Sequence, residues 1–162
     1  MNNLYFTIGL SRSGKSTFAA KWQQEKSDVP RVVVCADKIR LTLGNRYNSA
    51  VEQYVFAIKH TMIKTLLMDY EVLVDGTHTT KKSIIELLKI NIDAWPIFID
   101  TSPEECKKRA IDTKQEDLIP VIDRMYTNIQ EELCCGDKIN KTNIDKMVYY
   151  LVEDVVAERS VV

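Results

Sequence analysis

Short apolar runs alternate with longer segments of helical periodicity along this chain. Valine, isoleucine, leucine and aromatic side chains dominate four such runs, at 4–8, 31–35, 72–74 and 95–99. Runs of this length predict buried parallel strands, because a strand that is covered on both faces need not alternate apolar and polar residues. The alternation of strands and helices then predicts a parallel sheet with right-handed crossover connections and helices on both faces.

Capping residues and helical periodicity predict three helices between the first strand and about residue 68. One helix is expected over 16–25, where apolar positions follow a helical period. A short helix follows, with Asp37 as its N-cap and Gly44 just beyond its end. A long helix is expected from its N-cap Ser49 to about residue 68.

The second half carries similar signals. Thr79 or Thr80 is the predicted N-cap of one helix, and residues 102–105, Ser-Pro-Glu-Glu, form a capping box with proline at the first helical position. Another helix is predicted from Pro120 to residue 133. The last segment follows a helical period but would also suit a strand over 147–152, and we favour the helix.

Composition narrows the fold class. The chain has 162 residues, of which 45% are apolar and 28% charged, as in one soluble globular domain. We predict an α/β fold in which residues 1–162 form a single domain, a three-layer α/β/α sandwich around a parallel sheet of four or five strands.

The net charge argues against a protein that coats nucleic acid in general, and the hydropathy argues against a membrane-spanning protein. The 22 basic and 23 acidic residues nearly cancel, so attraction to nucleic acid must come from a local patch rather than from the net charge. The longest apolar runs are far shorter than the roughly 20 residues that span a bilayer. With no signal-peptide pattern at the N-terminus, we expect a cytoplasmic protein with no membrane partner.

Residues 9–16 read Gly-Leu-Ser-Arg-Ser-Gly-Lys-Ser, which is the pattern G-x-x-x-x-G-K-[ST] placed between a predicted strand and a predicted helix. The glycines let successive backbone N–H groups surround a phosphate, and the helix dipole adds positive potential. Lys15 is expected to reach the terminal phosphates and to act in catalysis, and Ser16 to bind Mg²⁺. We therefore predict that ATP and Mg²⁺ are the cofactors and that ATP is bound by Gly9, Ser11, Arg12, Ser13, Gly14, Lys15, Ser16 and Thr17.

Asp37 and Arg40 follow the second strand at a spacing of three, which places them on one face of a helix near the carboxyl edge of the sheet. A carboxylate there can accept a hydroxyl proton, and a guanidinium one turn on can bind a phosphate through two hydrogen bonds. Without the phosphate loop, this pair would be interpreted as a helix cap and a solvated arginine. With it, we predict an acceptor site in which Asp37 is catalytic and Arg40 binds substrate.

The third strand ends in Asp75, the position of an acid that holds a magnesium-bound water. Gly76 follows where a hydrolytic motor usually has a second acid, which argues against an ATPase. Thr77 and His78 are predicted to line the acceptor pocket. Both residue types also act as local capping groups in a strand-to-helix loop, and that alternative stays open.

A polar segment at about 110–120 is predicted to be a mobile lid. Lys107, Lys108, Arg109 and Lys114 flank it. A cation over the γ-phosphate neutralises charge in the transition state of phosphoryl transfer. The helix macrodipole explains the two adjacent lysines, so Arg109 is the predicted catalytic cation of the lid.

The sequences GLSRSGKST, CADKIR, VLVDGTH and KKRA occur in this order. Together they resemble the kinase domain of the phage-type polynucleotide 5′-hydroxyl kinases and the wider group of P-loop kinases. The resemblance covers about residues 4–133 and implies a P-loop kinase fold with a helical lid.

The resemblance also implies roles. Asp37 would be the general base on a 5′-hydroxyl, Arg40 would contact an acceptor phosphate, and Arg109 would contact the donor phosphates. Lys15 and Ser16 would hold ATP and magnesium. Members of that family commonly have a second lid arginine four residues after the position of Arg109, and this sequence has Thr113 there.

The leading hypothesis from the sequence is transfer of the γ-phosphoryl group of ATP·Mg²⁺ to the 5′-hydroxyl end of DNA or RNA. The Asp-x-x-Arg step also occurs in small-molecule kinases. A kinase of a nucleoside, a modified base or another small metabolite therefore stays open, as does a nucleotide-binding module without catalysis.

Overall fold

A computed structural model describes residues 2–44 and 48–161. Within these residues one sheet contains four strands: Leu4–Ile8 (β1), Arg31–Cys35 (β2), Glu71–Asp75 (β3) and Trp95–Phe98 (β4). Their order in the sheet is β2-β3-β1-β4, and every neighbouring pair is parallel. The parallel sheet that the apolar runs predict is confirmed.

Helices connect the strands and follow the last one. In the described parts of the chain they are Lys15–Gln24 (α1), Ala36–Thr42 (α2), Ser49–Leu66 (α3), Lys81–Ile90 (α4), Pro103–Asp112 (α5), Ile119–Asn128 (α6) and Lys141–Ser160 (α7). The ambiguous last segment is therefore a helix, as favoured. None of these helices combines the length and the apolar character needed to cross a bilayer.

The two faces of the sheet carry different layers. Tyr5 and Leu73 pack with Trp22 of α1 on one face. Phe6 and Val74, their neighbours along the strands, lie in a larger core on the other face, to which α3, α4 and α7 contribute. Successive residues of a strand point to opposite faces, so the two central strands, β1 and β3, are covered on both sides. This arrangement is the predicted three-layer sandwich.

Two predicted helix starts are wrong. α2 begins at Ala36 directly after β2, with Cys35 at the N-cap position, so Asp37 lies inside the first turn and does not cap the helix. α3 is capped by Asn48, whose side-chain oxygen accepts a hydrogen bond of 2.9 Å from the backbone N–H two residues on, and not by Ser49. The first error arises because no loop separates β2 from α2. The second arises because asparagine and serine are equally good caps.

The other helix signals correspond to the structure. Thr80 caps α4 and Ser102 caps α5, each by accepting a hydrogen bond from a backbone N–H three residues on. Gly44 follows the end of α2 with a φ of +72°. The helix predicted over 120–133 begins one residue earlier, at Ile119, and continues beyond Asn128 as a π-helical turn.

The polar segment at 110–120 has a defined conformation. α5 continues to Asp112, and a 3₁₀ turn at Glu116–Leu118 leads into α6. The segment therefore joins two helices that pack against each other. Its motion as a lid stays a prediction.

The N-cap of α7 provides a test of this architecture. The side chain of Asn140 accepts a hydrogen bond of 2.8 Å from the backbone N–H of Asn143, and α7 packs against α4 and β4. Asn140→Ala should lower the free energy of unfolding by about 1 kcal/mol, because a helix-start N–H loses its partner. Urea denaturation followed by circular dichroism measures this loss. Asn140→Asp keeps an acceptor oxygen and should behave like the wild type; an equal loss in both variants would contradict the capping role.

Candidate nucleotide and acceptor site

A cavity of about 1270 Å³ lies over the carboxyl ends of β1, β2 and β3. Ligands of open α/β sheets bind at this edge, where the loops that follow the strands converge. Most of the residues predicted to bind ATP, magnesium or an acceptor, or to act in catalysis, line this cavity: Ser11, Arg12, Gly14, Lys15, Ser16, Thr17, Asp37, Arg40, Asp75, Thr77, His78 and Arg109. Gly9 and Ser13 belong to the same phosphate loop but do not line the cavity.

The phosphate loop connects β1 to α1 in a conformation that needs glycine at one end. Gly14 precedes α1 with a φ of +98°, in the left-handed region, and Arg12 also has a positive φ, of 65°. The hydroxyl of Thr101, beyond β4, donates a hydrogen bond of 2.7 Å to the carbonyl oxygen of Ser13. The loop is therefore fixed both by its own turn and by the neighbouring strand connection.

Lys15 is buried at the first position of α1. Its ammonium donates a hydrogen bond of 2.6 Å to the carbonyl oxygen of Leu10, within the same loop, and lies 3.5 Å from the hydroxyl of Ser13. Burial lowers the pKa of Lys15, and the nearby carboxylate of Asp75 opposes this shift. A desolvated ammonium beside a curled loop fits a phosphate, because an anion there interacts through a low dielectric.

The hydroxyl of Ser16 and the carboxylate of Asp75 meet at the base of the cavity, with Ser16 Oγ donating to Asp75 Oδ2 at 2.9 Å. The described residues contain no cluster of three or more histidine, cysteine or acidic side chains suited to a metal ion. Mg²⁺ is commonly held by one or two protein oxygens together with water and substrate phosphates. The pair therefore fits magnesium bound to a nucleotide rather than to an all-protein site.

Asp37 and Arg40 share the cavity wall formed by α2. The side chain of Asp37 is 85% exposed, and its carboxylate pairs with Nη1 of Arg40. Arg40 is only 20% exposed and also binds Glu52 of α3 through both ends of its fork, Nε to Oε1 at 2.5 Å and Nη2 to Oε2 at 2.8 Å. The alternative of a helix cap with a solvated arginine is thus wrong on both counts.

The ion pair between Arg40 and Glu52 shifts the pKa of both residues in the directions that favour their charged forms. The hydrogen bonds from Arg40 lower the pKa of Glu52, and the same bonds raise the pKa of Arg40. Sequence analysis missed Glu52. It lies twelve residues after Arg40 on a different helix, so no helical spacing connects the two residues.

The loop after β3 is joined to β1 by hydrogen bonds that involve the buried residue Thr7. The hydroxyl of Thr7 donates to the carbonyl oxygen of Gly76 at 2.7 Å and accepts from its N–H at 3.1 Å. The carbonyl oxygen of Thr77 accepts from the N–H of Gly9, the first residue of the phosphate loop, at 3.1 Å. Two cavity walls are thereby held in register.

His78 takes part in the same connection between β1 and the loop after β3. Its Nδ1 lies 2.7 Å from the carbonyl oxygen of Thr7, and since a carbonyl oxygen only accepts, Nδ1 carries the proton. Burial lowers the pKa of His78 to about 4, so the ring is neutral at neutral pH. A Cβ on Gly76 would lie 2.7 Å from Cε1 of this ring, which explains the glycine. His78 therefore has a local structural role, while its predicted contact with an acceptor stays a prediction.

Of the four cations that flank the polar segment, Arg109 is the one that lines the cavity within the described residues. Its Nε donates to Glu105 at 2.9 Å, and its Nη1 donates to the carbonyl oxygen of Arg12 in the phosphate loop at 3.3 Å. Lys107 instead pairs with Asp123 of α6. Arg109 therefore lies between the polar segment and the phosphate loop, and its catalytic role stays a prediction.

The cavity also contains groups that sequence analysis did not single out. Leu118, Val121 and Met125 line the side formed by the 3₁₀ turn and α6, and Lys59 of α3 lines the side near Arg40. An apolar stripe on a helix normally indicates core packing, and a lysine normally indicates a solvated face. Only the way in which the helices close over the sheet edge shows that these residues share a cavity.

A parallel sheet with a phosphate loop after β1, an Asp-x-x-Arg step after β2 and helices over the site defines the P-loop kinase fold. Comparison with solved structures confirms this fold. A chain of the Pnkp1/Rnl/Hen1 RNA repair complex superposes with a TM-score of 0.70 at 22% sequence identity, covering 80% of this chain and 44% of that chain. This protein therefore spans less than half the length of that chain.

Two kinases of small molecules have the same fold. The APS kinase CysC of Mycobacterium tuberculosis, in complex with AMPPNP and APS, has a TM-score of 0.55 at 21% identity and covers 70% of this chain and 72% of that chain. A gluconokinase from Sinorhizobium meliloti 1021 has a TM-score of 0.55 at 13% identity, covering 96% and 92%. No protein-family model and no curated protein matches the sequence. At such identities the likeness concerns the fold.

The neutral His78 predicts a specific dependence of stability on pH. Below its usual pKa of 6.5 the unfolded chain binds a proton that the folded chain takes up only near pH 4, so stability falls as pH falls through this window. Between about pH 7.5 and about pH 5 the loss from this group should be about 2 kcal/mol.

Urea denaturation of the wild type and His78→Asn at both pH values isolates this contribution. The second histidine, His60, whose pKa is also lowered by burial, is present in both proteins and cancels from the difference. A wild type whose stability changes with pH no more than that of the variant would show that the ring is not held neutral.

Proposed function

We propose that this protein is an ATP-dependent kinase that transfers the γ-phosphoryl group to a hydroxyl, at the 5′ end of DNA or RNA. The observation that carries the proposal is the position of the Asp37 carboxylate, exposed in the same cavity as the phosphate loop and paired with Arg40. The fold likeness to a chain of an RNA repair complex supports the nucleic-acid acceptor.

The donor half of the cavity would bind ATP through backbone N–H groups of the phosphate loop and the ammonium of Lys15. Bound Mg²⁺ would neutralise negative charge on the phosphates. Ser16 would provide an oxygen ligand and Asp75 would orient a metal-bound water. Arg109, which already contacts the phosphate loop, would stabilise the charge that develops on the transferred group.

The acceptor half would supply the base. Asp37 takes the proton of the attacking hydroxyl, the oxygen forms a bond to the γ-phosphorus, and the bond between that phosphorus and the bridging oxygen of ADP breaks. Arg40 holds the Asp37 carboxylate in place, and Glu52 holds Arg40. Positioning of the two substrates therefore accounts for most of the proposed catalysis.

A second candidate is a kinase of a small hydroxyl compound. The gluconokinase fold covers 96% of this chain, more than the chain from the RNA repair complex does. The two candidates share the donor half of the cavity and differ in what lies beside Asp37.

Labelling with γ-labelled ATP and Mg²⁺ separates the candidates. The acceptors are 5′-hydroxyl DNA and RNA oligomers, nucleoside 3′-phosphates, free nucleosides and sugar acids. We expect label on the oligomers, and Asp37→Asn should lower this rate by about 100-fold or more because the base is removed. Lys108→Met, a change to an exposed lysine outside the cavity, serves as control. Label only on small acceptors would contradict the nucleic-acid proposal, and release of free phosphate alone would contradict transfer.

The ion pair between Arg40 and Glu52 should matter for turnover rather than for ATP binding. Glu52→Gln removes the charge that fixes Arg40 and should lower kcat by about tenfold, with an unchanged KM for ATP, since a misplaced catalytic group costs rate. Steady-state kinetics with a 5′-hydroxyl oligomer measure both constants. Glu131→Gln, at an exposed position outside the cavity, is the matched control. A changed KM for ATP with an unchanged kcat would place Glu52 in the donor half instead.

A further inference from the structure

The cationic side chains of the cavity fall into two groups. Arg12, Lys15 and Arg109 belong to the phosphate loop or contact it, on the donor side. Arg40 of α2, which pairs with Asp37, and Lys59 of α3 form the second group, on helices other than the one that follows the phosphate loop. An acceptor that carries a phosphate of its own would have to place it within reach of this second group.

Arg40 is strongly engaged with carboxylates. Three of the N–H groups of its guanidinium are donated to Glu52 and Asp37. One positive charge faces two negative charges in this cluster, so the cluster by itself has a net charge of −1. Such a cluster repels a second phosphate rather than attracting it.

Lys59 differs from Arg40 in its partners. It forms no ion pair and no hydrogen bond within residues 2–44 and 48–161, and its ammonium lies 5.8 Å from the centroid of the Phe56 ring. Burial lowers the pKa of Lys59; Glu86 opposes this shift, the charge of Arg40 adds to it, and Glu52 opposes it weakly. A half-buried ammonium without a carboxylate partner loses hydration that an arriving anion can replace.

The spacing along α3 places Lys59 on the face of the helix that carries Glu52. Glu52 and Lys59 are seven residues apart and therefore lie on the same face of the helix, about 10 Å apart along its axis. Thr80, the N-cap of α4, and Ser83, in its first turn, line the cavity as well, so the positive end of that helix dipole lies at the cavity. With Lys59 included, the net charge of these four groups rises from −1 to zero, and Lys59 is the cation among them that has no hydrogen-bonded carboxylate within residues 2–44 and 48–161.

We infer that Lys59 binds a phosphate of the acceptor that is not transferred, and so selects nucleotides and polynucleotide ends over neutral hydroxyl compounds. The inference rests on the proposed function, because it concerns the acceptor half of the same cavity. Lys59 is a specificity residue here, while Asp37 keeps the role of base. No bond to Lys59 forms or breaks.

Binding measurements test this without relying on turnover. Isothermal titration calorimetry, in the presence of Mg²⁺ and a non-hydrolysable ATP analogue, compares two probes, thymidine 3′-monophosphate and thymidine. Lys59→Met should weaken binding of the monophosphate about tenfold and that of thymidine by less than about twofold, since only the first probe loses a charge-assisted contact. Lys59→Arg should restore most of the difference. Lys64→Met removes an exposed lysine of the same helix, outside the cavity, and should change neither.

Kinetics with a 5′-hydroxyl oligomer give a second readout. Lys59→Met should raise KM for the oligomer about tenfold and leave KM for ATP unchanged. It should also make the slope of log binding constant against log salt concentration shallower by about one, because one ion contact to a phosphate is lost. A variant that weakens both calorimetric probes equally, or neither, would overturn the inference, because a packing role or no role would then explain Lys59. A wild type that binds the monophosphate through Lys59 yet labels no acceptor would support the inference and overturn the proposed function.

Discussion

A set of hydrogen bonds between β1 and the loop after β3, called the polar joint below, determines the geometry of the part of the site proposed to bind ATP. Thr7, which is fully buried, uses its hydroxyl to bind both backbone groups of Gly76, and its carbonyl oxygen accepts from His78. Buried polar groups that lose a partner are costly, so this joint tolerates little displacement. Because Asp75 immediately precedes the joint, its carboxylate is held against Ser16 at the start of α1. The part of the cavity proposed to bind ATP is therefore set largely by strand pairing.

The part of the cavity proposed to bind the acceptor is built differently. Its charged groups come from α2 and α3, two helices that pack together beside the edge strand β2, and they are arranged by ion pairs between side chains. Side chains are replaced more easily in evolution than a strand register or a phosphate loop. This difference offers a physical reason why an RNA repair complex, an APS kinase and a gluconokinase contain the same fold.

Much of the fold could be predicted because its signals are local. The strands, the phosphate loop, the caps of α4 and α5 and the glycine after α2 depend on residues that are close in sequence. The two wrong helix starts have different causes: α2 follows β2 without the loop that a capping Asp37 would need, whereas the start of α3 is a choice between two adjacent residues. Where two adjacent residues suit one role, as Asn48 and Ser49 do, local chemistry does not choose between them. Thr77 and His78 line the cavity, yet the ring of His78 binds the carbonyl oxygen of Thr7, 71 residues away, and no local pattern predicts that contact.

The sequence by itself determined the parallel sheet, the phosphate loop and the presence of an acid and an arginine at the acceptor edge, because strand propensity and loop chemistry act over a few residues. Only the tertiary structure decided what those side chains touch. The ion pair of Arg40 with Glu52, the neutral ring of His78 and the position of Lys59 depend on helices that pack over the sheet edge. Burial and the nearby charges fix the electrostatics of each group, and both are properties of the packed molecule rather than of any one segment.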